Sequence, residues 1–187
     1  MDSRQEIRLT GFGGQGIMLA GFIIGQAAAV HELKYATHIR DYGPEARGGS
    51  CRADVVISEK PVLYPYINAP SVLVAMSQAA YDKYRPSSRE NSLIIIDEDL
   101  VQHREKRKDR LWTIPAQRMA EELGRANIAN VIMLGFFTAV TGAVSIEAMR
   151  KSVLSSVPKS WEELNLTALE QGYNYGLEKV KARGGAG

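Results

Sequence analysis

The chain has 187 residues, a formal net charge of +2 and a single cysteine, with 45% hydrophobic and 24% charged residues. That length predicts one domain with a sizeable core, and the ordinary composition excludes disordered, collagen-like and disulfide-stapled classes. The balanced charge argues against nucleic-acid binding, which would need a strongly basic face. Cys51 alone can form no internal disulfide and hold no iron–sulfur cluster, which takes several thiolates. With no signal-peptide pattern in the polar residues 1–6, a reducing, cytoplasmic setting is expected.

Residues 7–10 have strand composition and lead into Gly11-Phe12-Gly13-Gly14-Gln15-Gly16, after which an apolar helix is expected over 17–30. A short strand follows at 36–39, then a loop over 40–49 and a β-branched strand at 53–58. Residues 61–65 read as a short edge strand, where proline is tolerated, and their closeness to 53–58 suggests a hairpin. Continuous apolar runs at 71–76 and 92–97 predict strands buried on both faces, separated by a helix over 78–84 that Pro86 stops. Another strand is expected at 111–114.

Pro115 suits the first turn of a helix carrying Ala116, Met119, Ala120 and Leu123, and Gly124 suits its C-terminal cap. The apolar run 128–144 contains Asn130, Thr138 and Thr141. It falls short of the roughly 20 residues a membrane span needs, so it reads as a buried helix. Ser145 can cap a helix ending near Val157, with Pro158 beyond. Leu166, Leu169, Tyr173, Leu177 and Val180 recur at helical spacing and predict the packed face of a last helix; the tail 184–187 is expected to be disordered. This alternation predicts an α/β chain: one three-layer α/β/α Rossmann-like domain over 1–183, with a mixed, mainly parallel sheet.

Gly11, Gly13 and Gly16 satisfy G-x-G-x-x-G between a strand and a helix, with Gly14 and Gln15 inside the loop. Such glycines let backbone approach a ligand, and the free N–H groups of the helix start attract anions. The bland alternative is a tight turn with no ligand. A nicotinamide site would also need an acid about 20 residues on, at the end of the second strand. Glu32 has the spacing but precedes that strand, and Asp41 sits at its end but farther away.

A second loop, Tyr42-Gly43-Pro44-Glu45-Ala46-Arg47-Gly48-Gly49, is flanked by Arg40 and Arg52. Loops at the carboxyl ends of strands line the ligand crevice of open α/β sheets, and guanidinium groups pair well with phosphate. The alternative is a surface loop whose arginines pair with Glu45 and Asp41.

Together, Arg8-Leu9-Thr10 with the first loop and the whole second loop resemble the gamma subunit of the 2-oxoacid:ferredoxin oxidoreductases, nearest the 2-oxoglutarate branch. The likeness spans most of the chain, with Asp41 standing where the family usually has a small residue. It implies a heteromeric complex that oxidatively decarboxylates a 2-oxoacid to its acyl-coenzyme A thioester and reduces ferredoxin. Thiamine diphosphate, Mg2+ and the iron–sulfur clusters would belong to alpha, beta and delta partners, with no cofactor bound by this chain alone and no catalytic residue in it. By position, Gly11, Gly13, Gly14, Gln15 and Gly16, with Gly43, Pro44, Glu45, Arg47, Gly48 and Gly49, would face those subunits and help frame the coenzyme A channel. The isolated chain could dimerise through surfaces its partners normally cover. The rivals are a free-standing nucleotide-binding module and a pyruvate- or branched-chain-specific homologue.

Other chemistry-bearing residues take bland readings. His31, His38 and His103 have no metal-ligand spacing, and Cys51 beside Arg52 is expected to be inert rather than an activated thiolate. Residues 104–110 form a basic solvated loop, with docking to an acidic partner as the alternative. Asp97-Glu98-Asp99 reads as a turn, not a cation site.

Overall fold

Strand β1 (Arg4–Phe12) sends Ile7 and Leu9 to one face of a sheet and Arg8 and Thr10 to the other, all four buried. The computed structural model describes residues 4–43, 49–103 and 110–184. Helix α1 (Ile17–Gln26) runs on into one π-helical turn, Ala27–His31, and is followed by β2 (Tyr35–Asp41) and β3 (Ser50–Ser58). Next come β4 (Val72–Ala75), α2 (Gln78–Tyr84), β5 (Leu93–Asp97) and β6 (Arg110–Ile114). Helices α3 (Ala116–Glu122), α4 (Ala129–Thr141), α5 (Ile146–Ser156) and α6 (Glu162–Gly184) complete the chain.

The six strands lie in the order β2-β3-β1-β4-β5-β6. β1, β4, β5 and β6 are parallel, while β3 runs against both β1 and β2. The sheet is therefore mixed and mainly parallel, but not through the expected hairpin. Residues 59–71 contain no strand. Both flanks of β3 are already taken by β1 and β2, Pro61 and Pro65 offer no N–H, and Leu63 is 93% exposed.

Helices α1, α3, α4, α5 and α6 cover one face, joining Leu9, Val55, Val74, Ile95 and Ile114 in the larger core. Helix α2 covers the other face over Leu73, Ala75, Ile94 and Ile96. Local signals terminate these helices as their residue types dictate. Ser77 Oγ accepts the Ala80 N–H and Ser145 Oγ the Ala148 N–H, so both act as N-caps. Gly124 follows α3 with its N–H donating to Glu121 O at 2.8 Å. No helix among the described residues is long and apolar enough to cross a membrane.

The last helix corrects the sequence-based expectation. Its buried stripe is Asn165, Ala168, Leu169, Gly172 and Gly176. Leu166, Tyr173 and Leu177 are half-buried and Val180 is exposed. The stripe is offset because α6 crosses α4 backbone to backbone. A methyl built on Gly172 would overlap Ile132 O, and one on Gly135 of α4 would overlap Leu169 O. Large side chains can only flank such a contact. The helix extends to Gly184, so the first residue of the expected tail is helical; residues 185–187 lie outside the described ones.

His38 lies on edge strand β2 under α1, and its Nε2 is buried with no hydrogen-bond partner among the described residues. Burial and then Arg40 push its pKa down, against the upward pull of Asp54. A base with a depressed folded pKa contributes stability that is complete above its unfolded value near 6.5 and is lost as pH falls through the folded one. The melting temperature should therefore fall as pH drops below about 6.5. His38→Gln should flatten that slope; an equally steep profile in the variant would assign the dependence elsewhere.

Candidate functional site

The first glycine loop is built by the side chain inside it. Gln15 Oε1 accepts the Phe12 N–H at 2.9 Å, and Gln15 Nε2 donates to Met76 O at 2.6 Å, at the end of β4. The Gln15 N–H closes the turn onto Phe12 O at 3.2 Å. Gly16 is the N-cap of α1 with φ +71°, a left-handed conformation that β-carbons resist, and a methyl there would also strike the Asn130 carboxamide. Asn130 Nδ2 in turn donates to Gly16 O at 3.4 Å. The loop is thus tied to both β4 and α4.

The second loop is anchored beside it. Because β2 runs parallel to β1, Asp41 ends at the same edge of the sheet, and Phe12 pairs directly with Ser50 at the start of β3. Gly43 approaches Ser50 so closely that a Cβ would lie 2.8 Å from its carbonyl oxygen, and Gly49 is buried. The structure therefore brings Gly11, Gly13, Gly14, Gln15 and Gly16 to the same edge as Gly43 and Gly49. Pro44, Glu45, Arg47 and Gly48 lie outside the described residues, as does the basic cluster 104–109.

The acids of the nicotinamide reading are engaged elsewhere. Glu32 accepts the Ser145 N–H at 2.5 Å and pairs with Lys34 at 2.8 Å. Asp41 pairs with Arg52 at 3.1 Å and accepts the Gly43 N–H at 3.0 Å. Strand β3 also stands between β1 and β2, moving Asp41 about 10 Å from the first loop's strand, two inter-strand spacings.

Between β1 and β4 the strand order turns in opposite directions, and such a switch point is where open α/β sheets bind ligands. A cleft of about 430 Å³ opens there, lined by Phe12, Gln15, Met76, Gln117, Glu121 and Asn130 among others. The sequence marked Asn130 only as a polar break in an apolar run, and that break was the one available signal. Gln117 and Glu121 come to the cleft from α3, whose sequence reads simply as amphipathic.

Asp97, buried at the end of β5, accepts the Asp99 N–H at 3.0 Å and the Gln117 N–H at 2.8 Å. Burial pushes its carboxyl up, against the lowering effect of these amides. Asp99 pairs with Arg118 at 3.1 Å; residues 98–100 form a turn after Asp97 closes β5, as expected for the acidic run. Cys51 is buried, which raises its pKa and makes it a poor thiolate. His103 shares a 2.5 Å hydrogen bond with the Tyr81 hydroxyl. Among the described residues no three His, Cys, Asp or Glu side chains are grouped to hold a metal ion.

Fold and site define a Rossmann-like domain whose first glycine loop lines a crevice at the switch point of the sheet. The model of the pyruvate ferredoxin/flavodoxin oxidoreductase family matches residues 6–175, and the chain belongs to that family. It is 47% identical to the 2-oxoglutarate synthase subunit KorC of Methanocaldococcus jannaschii, covering 94% of this chain and 95% of that one. Identity to the pyruvate synthase subunit PorC of Methanothermobacter marburgensis is 32%, over 96% of this chain and 99% of the relative. The crystal structure of a keto/oxoacid ferredoxin oxidoreductase gamma subunit from Geobacter sulfurreducens superposes with a TM-score of 0.86 at 38% identity, covering 94% of this chain and 97% of that one.

Proposed function

We propose that this chain is the gamma subunit of a 2-oxoglutarate:ferredoxin oxidoreductase and that its two glycine loops frame the path of coenzyme A. The observation that carries this reading is the shared edge: Phe12 at the start of one loop pairs with Ser50 at the end of the other. The 2-oxoglutarate branch is favoured by the higher identity to the 2-oxoglutarate synthase subunit than to the pyruvate synthase subunit. In the whole reaction the 2-oxoacid loses carbon dioxide, two electrons pass to ferredoxin, and the acyl group forms a thioester with coenzyme A. Thiamine diphosphate with Mg2+ supplies the acyl-carbanion chemistry and iron–sulfur clusters carry the electrons, all on alpha, beta and delta partners.

This chain's own contribution is positional. Gln15 holds the first loop rigid between β1 and β4. Arg47 is assigned to a phosphate of coenzyme A, because guanidinium and phosphate form strong charge-assisted pairs. In the cytoplasm the chain works inside the complex, beside its partner subunits.

Anaerobic co-purification from the native host tests the assignment. Partners bearing thiamine diphosphate and iron–sulfur clusters should accompany the chain, with dye reduction dependent on 2-oxoglutarate and coenzyme A. A complex active only on pyruvate or branched 2-oxoacids would overturn the branch, and a chain that purifies alone and binds a dinucleotide would overturn the function. In the assembled complex, Arg47→Ala should raise the KM for coenzyme A about tenfold with little change in kcat, the loss expected for one charged hydrogen bond. An unchanged KM would remove Arg47 from the path.

A further inference from the structure

We infer that the free edge of β2, overhung by α1, docks an extended segment of a partner subunit as a further strand of the sheet. The inference goes beyond the coenzyme A reading and rests on the gamma-subunit assignment only for the identity of the partner. Strand β2 is hydrogen-bonded to β3 on one side and to no described strand on the other. Its pairing with β3 runs unbroken from Tyr35 to Asp41, with no proline and no bulge. Prolines and bulges are among the devices that keep an edge from pairing. An edge of seven residues without them is fitted to receive one more strand.

From Ile17 to Val30, through α1 and its π-helical turn, the chain carries no charged residue, and a helix apolar all round is normally covered all round. Here one side packs on the sheet through Ile23, Ile24 and Ala27, while Leu19, Phe22 and Val30 stand exposed beside the free edge. Two hollows of about 250 and 270 Å³ lie between helix and strand, and Phe22 lines both. The first is bordered by Ala36 and His38 and the second by Arg40, so they open about 10 Å apart along β2. Side chains on one face of an added strand recur about every 7 Å, and two or three in succession span both hollows. Charge selects the occupant. Ala36, His38 and Arg40 face the helix. Residues opposed in an antiparallel pair point to the same face, so a second copy joined through β2 pairs about Thr37, His38 or Ile39. These registers set Lys34 against Arg40, His38 against His38, and His38 against Arg40. Each opposes basic side chains, and none brings an acid to Arg40, which is exposed and makes no ion pair among the described residues. The segment that fits alternates apolar residues and sets an aspartate or glutamate against Arg40, a pattern that belongs to a different chain.

Hydrogen exchange resolved to single amides, measured on the isolated full chain and on the anaerobically purified complex, tests the added strand. In the complex, alternate amides of residues 35–41, those not already donating to β3, should slow at least about tenfold. Unchanged exchange along 35–41 in an intact complex would overturn the inference and leave the subunit assignment standing. Slowing that grows with concentration in the isolated chain, and no further in the complex, would give the edge to a second copy and overturn the inference as well. If no complex forms, assignment and inference fall together. Phe22→Glu and Arg40→Glu, both at exposed positions, should each cut the recovery of partner subunits on a tagged chain about tenfold, with the melting temperature of the isolated chain unchanged. Undiminished recovery with both variants would overturn the inference.

Discussion

Replacing Gly172 with alanine should destabilise the chain by about 3 kcal/mol or more, beyond the usual range for an overpacked core. The added methyl would overlap Ile132 O, a main-chain atom that cannot rotate away, so α4 and α6 would have to separate along their crossing. For a chain of this size that loss lowers the melting temperature by roughly 6–12 °C. Gly135→Ala should behave alike, since its methyl meets Leu169 O from the other side of the same contact. The double variant should cost less than the sum by about 1 kcal/mol or more, because helices already forced apart make room for the second methyl. Urea unfolding of the four chains measures all of this. Full additivity, or a single-variant cost below about 1 kcal/mol, would mean the helices are not held at the distance seen.

Asp54→Ala should be the most costly change within the sheet, at about 3–5 kcal/mol. Arg8 is 2% exposed and grips Asp54 bidentately, Nε to Oδ1 at 2.7 Å and Nη2 to Oδ2 at 2.8 Å. It also donates to Ile67 O at 2.8 Å and lies against the Tyr84 ring. Removing the carboxylate leaves a buried guanidinium without its anion. The paired replacement Arg8→Met with Asp54→Leu should recover most of the loss, since a buried ion pair can be exchanged for apolar contact at little net cost. Recovery will be incomplete because Ile67 O loses its donor. Thermal and urea unfolding distinguish these cases, and a cost below about 1 kcal/mol for Asp54→Ala would show that the pair contributes no more than a surface contact.

That ion pair also bears on the site. Arg8 and Asp54 stand directly opposite each other in the β1–β3 register, and a slip of one residue would reverse every side chain of a strand. The same register sets Phe12 beside Ser50, and so sets one glycine loop beside the other. The polar pair thus helps hold the register that places Phe12 opposite Ser50, four positions along β1 from Arg8.

The sequence by itself determined what depends on near neighbours along the chain. The strand–glycine–helix order expected over residues 7–30, the caps at Ser145 and Gly124, and the buried strands β4 and β5 all follow from local pattern. So did the candidate loops, because glycine spacing between a strand and a helix is a local signal. Tertiary structure decided the rest. Nothing local says that β3 inserts between β1 and β2, since strand pairing is settled by which hydrophobic faces can be covered together. Nothing local pairs Arg8 with Asp54, which arrives opposite it from 46 residues away. Nothing local gives Gly172 and Gly135 a role; they matter because the two helix backbones meet there. Asn130 reads as a flaw in an apolar run until the glycine loop folds against it. In each case the residue's meaning lies in a contact distant in sequence, and such contacts exist only once the chain has closed.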